Sequence, residues 1–165
     1  MTEQPLWAPW RIQYITGPKS DQCVFCVAAS ADETTEPYQR PLERGRRGFT
    51  LLNAFPYTSG HLMVAPFRHV ATLDELDDEE LTELMRLAQR GIAAQRAAMS
   101  PDGFNVGLNL GRVAGAGIAD HLHLHVVPRW EGDNSFMPVL ADIRVLPQAL
   151  EATYQVLSRA LKEIG

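Results

Sequence analysis

The spacing of apolar residues divides the chain into strands and helices. GFTLLNAF, from Gly48 to Phe55, is a short apolar run. The turn-forming PYTSG follows, and then HLMVAPF from His61 to Phe67, so the two runs predict a β-hairpin. Past Asp77 the period lengthens, with Leu81, Leu84, Met85, Ala88 and Ile92 at helical spacing. That pattern predicts a long amphipathic helix reaching to about Met99. Asp77 followed by Glu80 forms a capping box, and the acidic DELDDEE around it suits the helix dipole and reads as a solvated helix start. SPDG ends the helix, and FNVGLNL, from Phe104 to Leu110, returns to strand. A glycine-rich loop, GRVAGAGIAD, leads into HLHLHVVP as the last strand. Leu150, Tyr154, Leu157 and Leu161 mark one face of a closing helix over 147–164, whose first turn suits Pro147.

At either side of this core the pattern weakens. Residues 1–20, containing LWAPWRIQYI, read as an extended arm that packs on a sheet or across a subunit boundary, and Ala31 to Pro41 as a polar loop. Strands joined by short turns with helices segregated between and after them indicate an α+β domain on an antiparallel sheet. The whole chain of 165 residues fits one domain.

Charge and composition narrow the partners. A net charge of -5 argues against non-specific attraction to a nucleic-acid backbone. The start MTEQPLWAPW has no basic and apolar leader pattern, and no stretch approaches the roughly 20 apolar residues of a membrane span. The expectation is a cytoplasmic protein without a membrane partner.

Candidate chemistry gathers on the last strand. His121, His123 and His125 alternate with Leu122 and Leu124. Strand side chains alternate in direction at about 3.3 Å rise, so the imidazoles share one face roughly 6.6 Å apart while the leucines face the core. Imidazoles so close repel when charged and need partners when buried, which argues against a merely solvated row. Either all three bind one metal, with Asp120 or Glu131 as a nearby base, or the labour is divided. Cys23 and Cys26 stand as a CxxC pair, open to metal binding, redox chemistry or burial as plain thiols. In the divided arrangement they join two histidines around a zinc ion and leave the other histidines free for covalent chemistry.

HLHLHVVPR resembles the signature of the histidine triad (HIT) superfamily, and the resemblance extends through LLNAFPYTSGHLMVAPFRHVATL and NVGLNLGRVAGAGIADH, covering roughly residues 45–130. It implies a HIT-like fold, an antiparallel sheet of about five strands with one long helix and a C-terminal helix. PRWEGDNSFMPVL and LWAPWRIQYI are similar to a bacterial branch of diadenosine tetraphosphate phosphorylases. By resemblance, His123 is the nucleophile that attacks the α-phosphorus, His125 contacts phosphate and positions the leaving group, and His61 supports them. Asn53 matches a ribose-contacting position and Asn109 a polar position near the transferred phosphate; turn or strand-end hydrogen bonding is the alternative for both. Gly115, Ala116 and Gly117 would offer backbone N–H groups to phosphate oxygens. Gly117 and Ile118 stand where many relatives have glutamine and serine or threonine, so either a backbone amide or a bound water substitutes for those side chains at the leaving group, or the acceptor differs.

A second resemblance, to galactose-1-phosphate uridylyltransferases, assigns Cys23, Cys26, His69 in HVATL and His121 to a structural zinc site, with residues 21–30 as its knuckle. Arg129 is read either as a phosphate contact or as the partner of an acidic neighbour. Trp130, Phe55 and Phe67 line a base pocket or belong to the core. The expected activity is cleavage of a dinucleoside polyphosphate, diadenosine tetraphosphate with inorganic phosphate as acceptor, giving ATP and ADP through a nucleotidyl-histidine. Purine nucleoside phosphoramidate or dinucleoside polyphosphate hydrolysis is the alternative, and an idle nucleotide-binding regulatory module the alternative of another class. The superfamily resemblance also implies a homodimer whose sheets run together.

Overall fold

The computed structural model describes residues 22–133 and 148–165. The expected N-terminal arm, Pro147 and most of PRWEGDNSFMPVL lie outside them. A five-stranded antiparallel sheet is built from β1 (Glu43–Arg44), β2 (Gly48–Leu52), β3 (Leu62–Pro66), β4 (Gly103–Leu108) and β5 (Leu124–Arg129), in the order β1-β2-β3-β5-β4. Helices α1 (Val24–Ser30), α2 (Asp78–Met99) and α3 (Leu150–Glu163) complete the α+β architecture.

Alternation along the strands sends residues to two different cores. Leu52, Leu62, Val64, Leu122, Leu124 and Val126 meet Leu84, Leu87, Ala88 and Ala94 of α2 and Tyr154, Leu157 and Leu161 of α3. On the other face Phe49, Leu51, Met63 and Ala65 meet Phe25 and Ala28 of α1. The register Met63↔His125, with Gly107 opposite His125 on the other side, holds the histidine-bearing strand between two neighbours.

The expected hairpin is β2 and β3, paired from Gly48↔Pro66 to Leu52↔Leu62. Asp77 caps α2 through the capping box with Glu80, and Ser100, left-handed at φ 49°, ends it after Met99. The buried stripe of α2 is rotated from the apolar pattern: Leu84, Leu87, Ala88, Gly91, Ala94 and Gln95 face the sheet, while Met85 is exposed. Gly91 and Gln95 carry no apolar signal. Yet the helix packs tightly at Gly91, since a Cβ there would lie 2.9 Å from Leu62 Cδ1.

One expectation is corrected. The last strand begins at Leu124, not His121, because residues 121–123 run ahead of the paired ladder. The CxxC pair opens a helix, with Cys23 at its N-cap and Cys26 inside it. The two-residue edge strand β1 was not expected from the pattern; it is too short to show one.

Candidate active site and metal centre

The sheet face opposite α2 and α3 carries the histidines. Nearest α1, Cys23, Cys26, His69 and His121 offer ligand atoms all within 4.8 Å of one another. Cys23 Sγ lies 3.3 Å and Cys26 Sγ 3.7 Å from His121 Nδ1, and His69 Nδ1 lies 3.4 Å from Cys26 Sγ and 3.3 Å from His121 Nδ1. A tetrahedral ion with metal–nitrogen bonds of about 2.0 Å and metal–sulfur bonds of about 2.3 Å has edges of roughly 3.3–3.8 Å, so these donors fit zinc. Nε2–H of His121 donates to the Pro66 carbonyl at 3.0 Å, which leaves the Nδ1 lone pair for the ion. Burial and the adjoining Cys23 thiol push the Cys26 thiol up, the condition that a bound cation would reverse.

Beyond this cluster stand His123, His125 and His61. Nδ1 of His123 is 2.9 Å from the His121 carbonyl oxygen. A carbonyl only accepts, so Nδ1 carries the proton and Nε2 keeps its lone pair. Directions propagate likewise at His61, whose Nδ1 accepts the Tyr57 backbone N–H at 3.1 Å and lies 3.2 Å from Asn53 Nδ2. The His61 proton therefore sits on Nε2, 2.9 Å from Nδ1 of His125. His125 accepts there and presents its own Nε2–H. Burial, with His123 adding to it, holds the His125 imidazole down at about 4, and burial lowers His121 and His123 as well. One lone pair and one N–H donor thus sit on adjacent rings whose centroids are 4.8 Å apart.

The remaining expected residues fall into different places. Asn53 has both ends of its amide engaged, since Oδ1 accepts the Phe55 N–H at 2.9 Å while Nδ2 meets His61. Asn109 is half-buried just past β4, and its Nδ2 would lie 4.0 Å from a Cβ at Gly115. In the glycine loop, Gly115 N–H bonds the Arg112 carbonyl and Ala116 N–H the Gly111 carbonyl, so neither amide points outward. Gly117 begins the part of the loop not bound up in that turn. Arg129 makes a bidentate pair with Asp133 at 2.6 and 2.7 Å and donates to Asn105 at 2.7 Å, the acidic-neighbour arrangement of the two expected. Phe67 stacks on Phe49 in the core, Trp130 donates to the Met99 carbonyl, and Phe55 is exposed.

Sequence reasoning missed two residues. Phe25, fully buried between the cysteines, lies with its ring centroid 4.7 Å from His123 and 5.1 Å from His121. Tyr57 lies against His61 and His125 at 4.6 and 5.8 Å. An aromatic inside CxxC, and another four residues before a site histidine, were the available signals.

A family model for the HIT domain matches residues 44–132. The chain is 41% identical to a protein of Mycobacterium tuberculosis (strain ATCC 25618 / H37Rv) named AP-4-A phosphorylase, the match covering 94% of this chain and 83% of that one. Among solved structures, a zinc-bound histidine triad family protein from Mycobacterium smegmatis superposes with a TM-score of 0.68 at 29% identity, over 87% of this chain and 95% of that one. A uridylyltransferase mutant superposes with a TM-score of 0.67 over 94% of this chain and 51% of that one; at 20% identity it speaks to the fold alone. Sheet, helices and alternating histidines are those of a histidine triad protein. The chain belongs to the HIT domain family.

Proposed function

We propose that this protein cleaves diadenosine tetraphosphate by phosphorolysis through a covalent adenylyl-His123 intermediate. The observation that carries the reading is the Nδ1–H bond from His123 to the His121 carbonyl, which leaves Nε2 free as a nucleophile in a neutral ring. Nε2 attacks the α-phosphorus, a P–N bond forms, the P–O bond to the polyphosphate breaks, and ATP leaves. Inorganic phosphate then attacks the same phosphorus, the P–N bond breaks, and ADP departs with the ring restored. His125 presents its Nε2–H to phosphate oxygens and the departing oxygen, with His61 fixing its tautomer. Asn109, Gly117 and the amides after it line the phosphate approach, while Asn53 acts by orienting His61. Similarity to a relative named AP-4-A phosphorylase supports both the substrate and phosphate as acceptor.

Cys23, Cys26, His69 and His121 hold a structural zinc ion, which clamps α1 to the segment carrying His123. The protein works in the cytoplasm as a homodimer. Among the described residues β4 ends the sheet, with Val106 exposed along it and Leu110 and Val113 exposed just beyond, an edge for a second copy. Among the described residues no helix is long and apolar enough to cross a membrane.

Incubation with diadenosine tetraphosphate and isotopically labelled inorganic phosphate tests the reaction. Label is expected in ADP. AMP production with all label remaining in free phosphate would replace phosphorolysis by hydrolysis, and absence of any cleavage would favour a binding module.

A further inference from the structure

The segment that carries His123 lies ahead of the paired ladder of the sheet. β5 pairs with both β3 and β4 only from Leu124 onward, so His121, Leu122 and His123 precede the first paired residue. Leu122 N–H donates to the Val70 carbonyl at 2.6 Å, one residue beyond His69. The His121 side chain is tied to Pro66 and to the cysteine cluster. Phe25, fully buried, lies with its ring against both imidazoles, its centroid 5.1 Å from that of His121 and 4.7 Å from that of His123. The helix that delivers it is short: α1 has seven residues and no side-chain hydrogen bond at its N-cap. A helix of that length is unstable alone, so its position depends on tertiary anchors, which here are the cysteines and the packing of Phe25 and Ala28.

We infer that Phe25 is a positioning residue for His123, and that it passes the state of the Cys23–Cys26–His69–His121 site to the orientation of the His123 ring. The inference rests on the proposed role of His123 as nucleophile. With the four donors drawn together, α1 is fixed and Phe25 packs against the imidazole, while the His121 carbonyl holds Nδ1–H. With the donors released, α1 loses an anchor, the His121 carbonyl is less constrained, and the ring is free to turn Nε2 away from its line of attack. The metal site is then an effector of the nucleophile as well as a staple.

The test compares wild-type protein, Phe25→Ala and Phe25→Leu, each metal-loaded and after chelation. Readouts are zinc content, circular dichroism, ¹⁵N signals of the His123 ring, and turnover of diadenosine tetraphosphate with phosphate. Metal-loaded Phe25→Ala is expected to keep its zinc and its fold yet lose about 10- to 100-fold in kcat with KM little changed, the scale of a small misplacement of a reacting group. Its His123 signals should move toward a mixture of tautomers, and Phe25→Leu should recover much of both. Chelated wild type should show the same changes, and chelation should add little to Phe25→Ala, because the link is already cut. Wild-type kcat and His123 signals in Phe25→Ala would overturn the inference, as would losses that multiply when mutation and chelation are combined. If Phe25→Ala does not fold, unchanged His123 signals on chelating the wild type overturn it equally. A wild-type protein that never forms a nucleotidyl-His123 adduct would instead refute the functional proposal, and the ¹⁵N comparison would still decide the link.

Discussion

His61 Nε2 and His125 Nδ1 stand 2.9 Å apart, and the hydrogen bond between them runs one way, from His61 to His125. The Tyr57 backbone N–H sets that direction by occupying His61 Nδ1. Without it His125 has no reason to hold its proton on Nε2. His61→Ala should therefore lower kcat by about 10- to 100-fold, the usual cost of losing an outer partner that orients a reacting group, with a smaller change in KM. Asn53→Ala removes a donor to His61 while leaving Tyr57 in place, and should cost less. Steady-state kinetics of the two variants checks the order; a larger loss for Asn53→Ala would mean that Asn53 contacts the nucleotide directly.

Acid should reveal the same pair through stability. The His125 imidazole is held down at about 4, chiefly by burial and then by His123, against an ordinary 6.5. Between those values the unfolded chain binds a proton that the folded chain refuses, so its contribution to stability is complete above about pH 6.5 and declines as the pH falls toward 4. Urea unfolding of metal-loaded protein across that window should show a steeper fall for wild type than for His125→Asn. Parallel curves would show that His125 titrates normally in the folded protein.

The core and the histidine row were legible because both follow from period. Leu122, Leu124 and Val126 alternate with His121, His123 and His125, and the apolar set enters the core while the histidines meet one another and the cysteines. The Asp77–Glu80 capping box marked the start of α2 to the residue. Less legible were features that arise from tertiary approach. Gly91 and Gln95 belong to the buried stripe of α2 because the helix lies close on β3 and because Gln95 donates to the Gly60 carbonyl at 2.8 Å, neither of which an apolar pattern records. Phe25 reaches His123 across the fold and Tyr57 reaches His125 likewise, and their neighbours in sequence give no period to read. Arg129 offered two chemistries, and only the position of Asp133 in space shows which acid it meets.

Glu80 links the start of α2 to the turn that carries His69. Its buried carboxylate bonds Arg68 at 2.6 and 2.7 Å and the Asp77 N–H at 3.0 Å, and Arg68 also donates to the Glu75 carbonyl. Arg68 above all holds the carboxyl down to about 2 from an ordinary 4.5, so this stabilisation is present above about pH 4.5 and is lost as pH falls toward 2. Glu80→Ala strands the Asp77 N–H and should destabilise the fold by about 1–3 kcal/mol near neutral pH, with Arg68 half-exposed and able to turn to water. Glu80→Gln, which can still accept from Asp77, should cost less. Denaturant midpoints at pH 7 separate the two, and equal midpoints for Glu80→Ala and wild type would contradict this account.

The donor set makes a quantitative statement about metal. Two sulfurs and two imidazole nitrogens gathered within 4.8 Å of one another make a complete four-donor set, so the protein should bind about one zinc per chain in a closed site. Cys26→Ser replaces a soft anionic donor with a hydroxyl that stays protonated, and His69→Ala leaves a gap that water must fill, so both should retain far less than one equivalent after dialysis. Because the ligands come from α1, the turn after β3 and the segment before β5, binding ties together parts distant in sequence and should appear as folding free energy. At a metal concentration about 100 times the dissociation constant that linkage is roughly 2.7 kcal/mol, which for a chain of this size corresponds to a Tm lower by about 5–11 °C on chelation. The same chelator should leave the Tm of Cys26→Ser nearly unchanged. An equal fall in both proteins would place the stabilising ion somewhere other than this cluster.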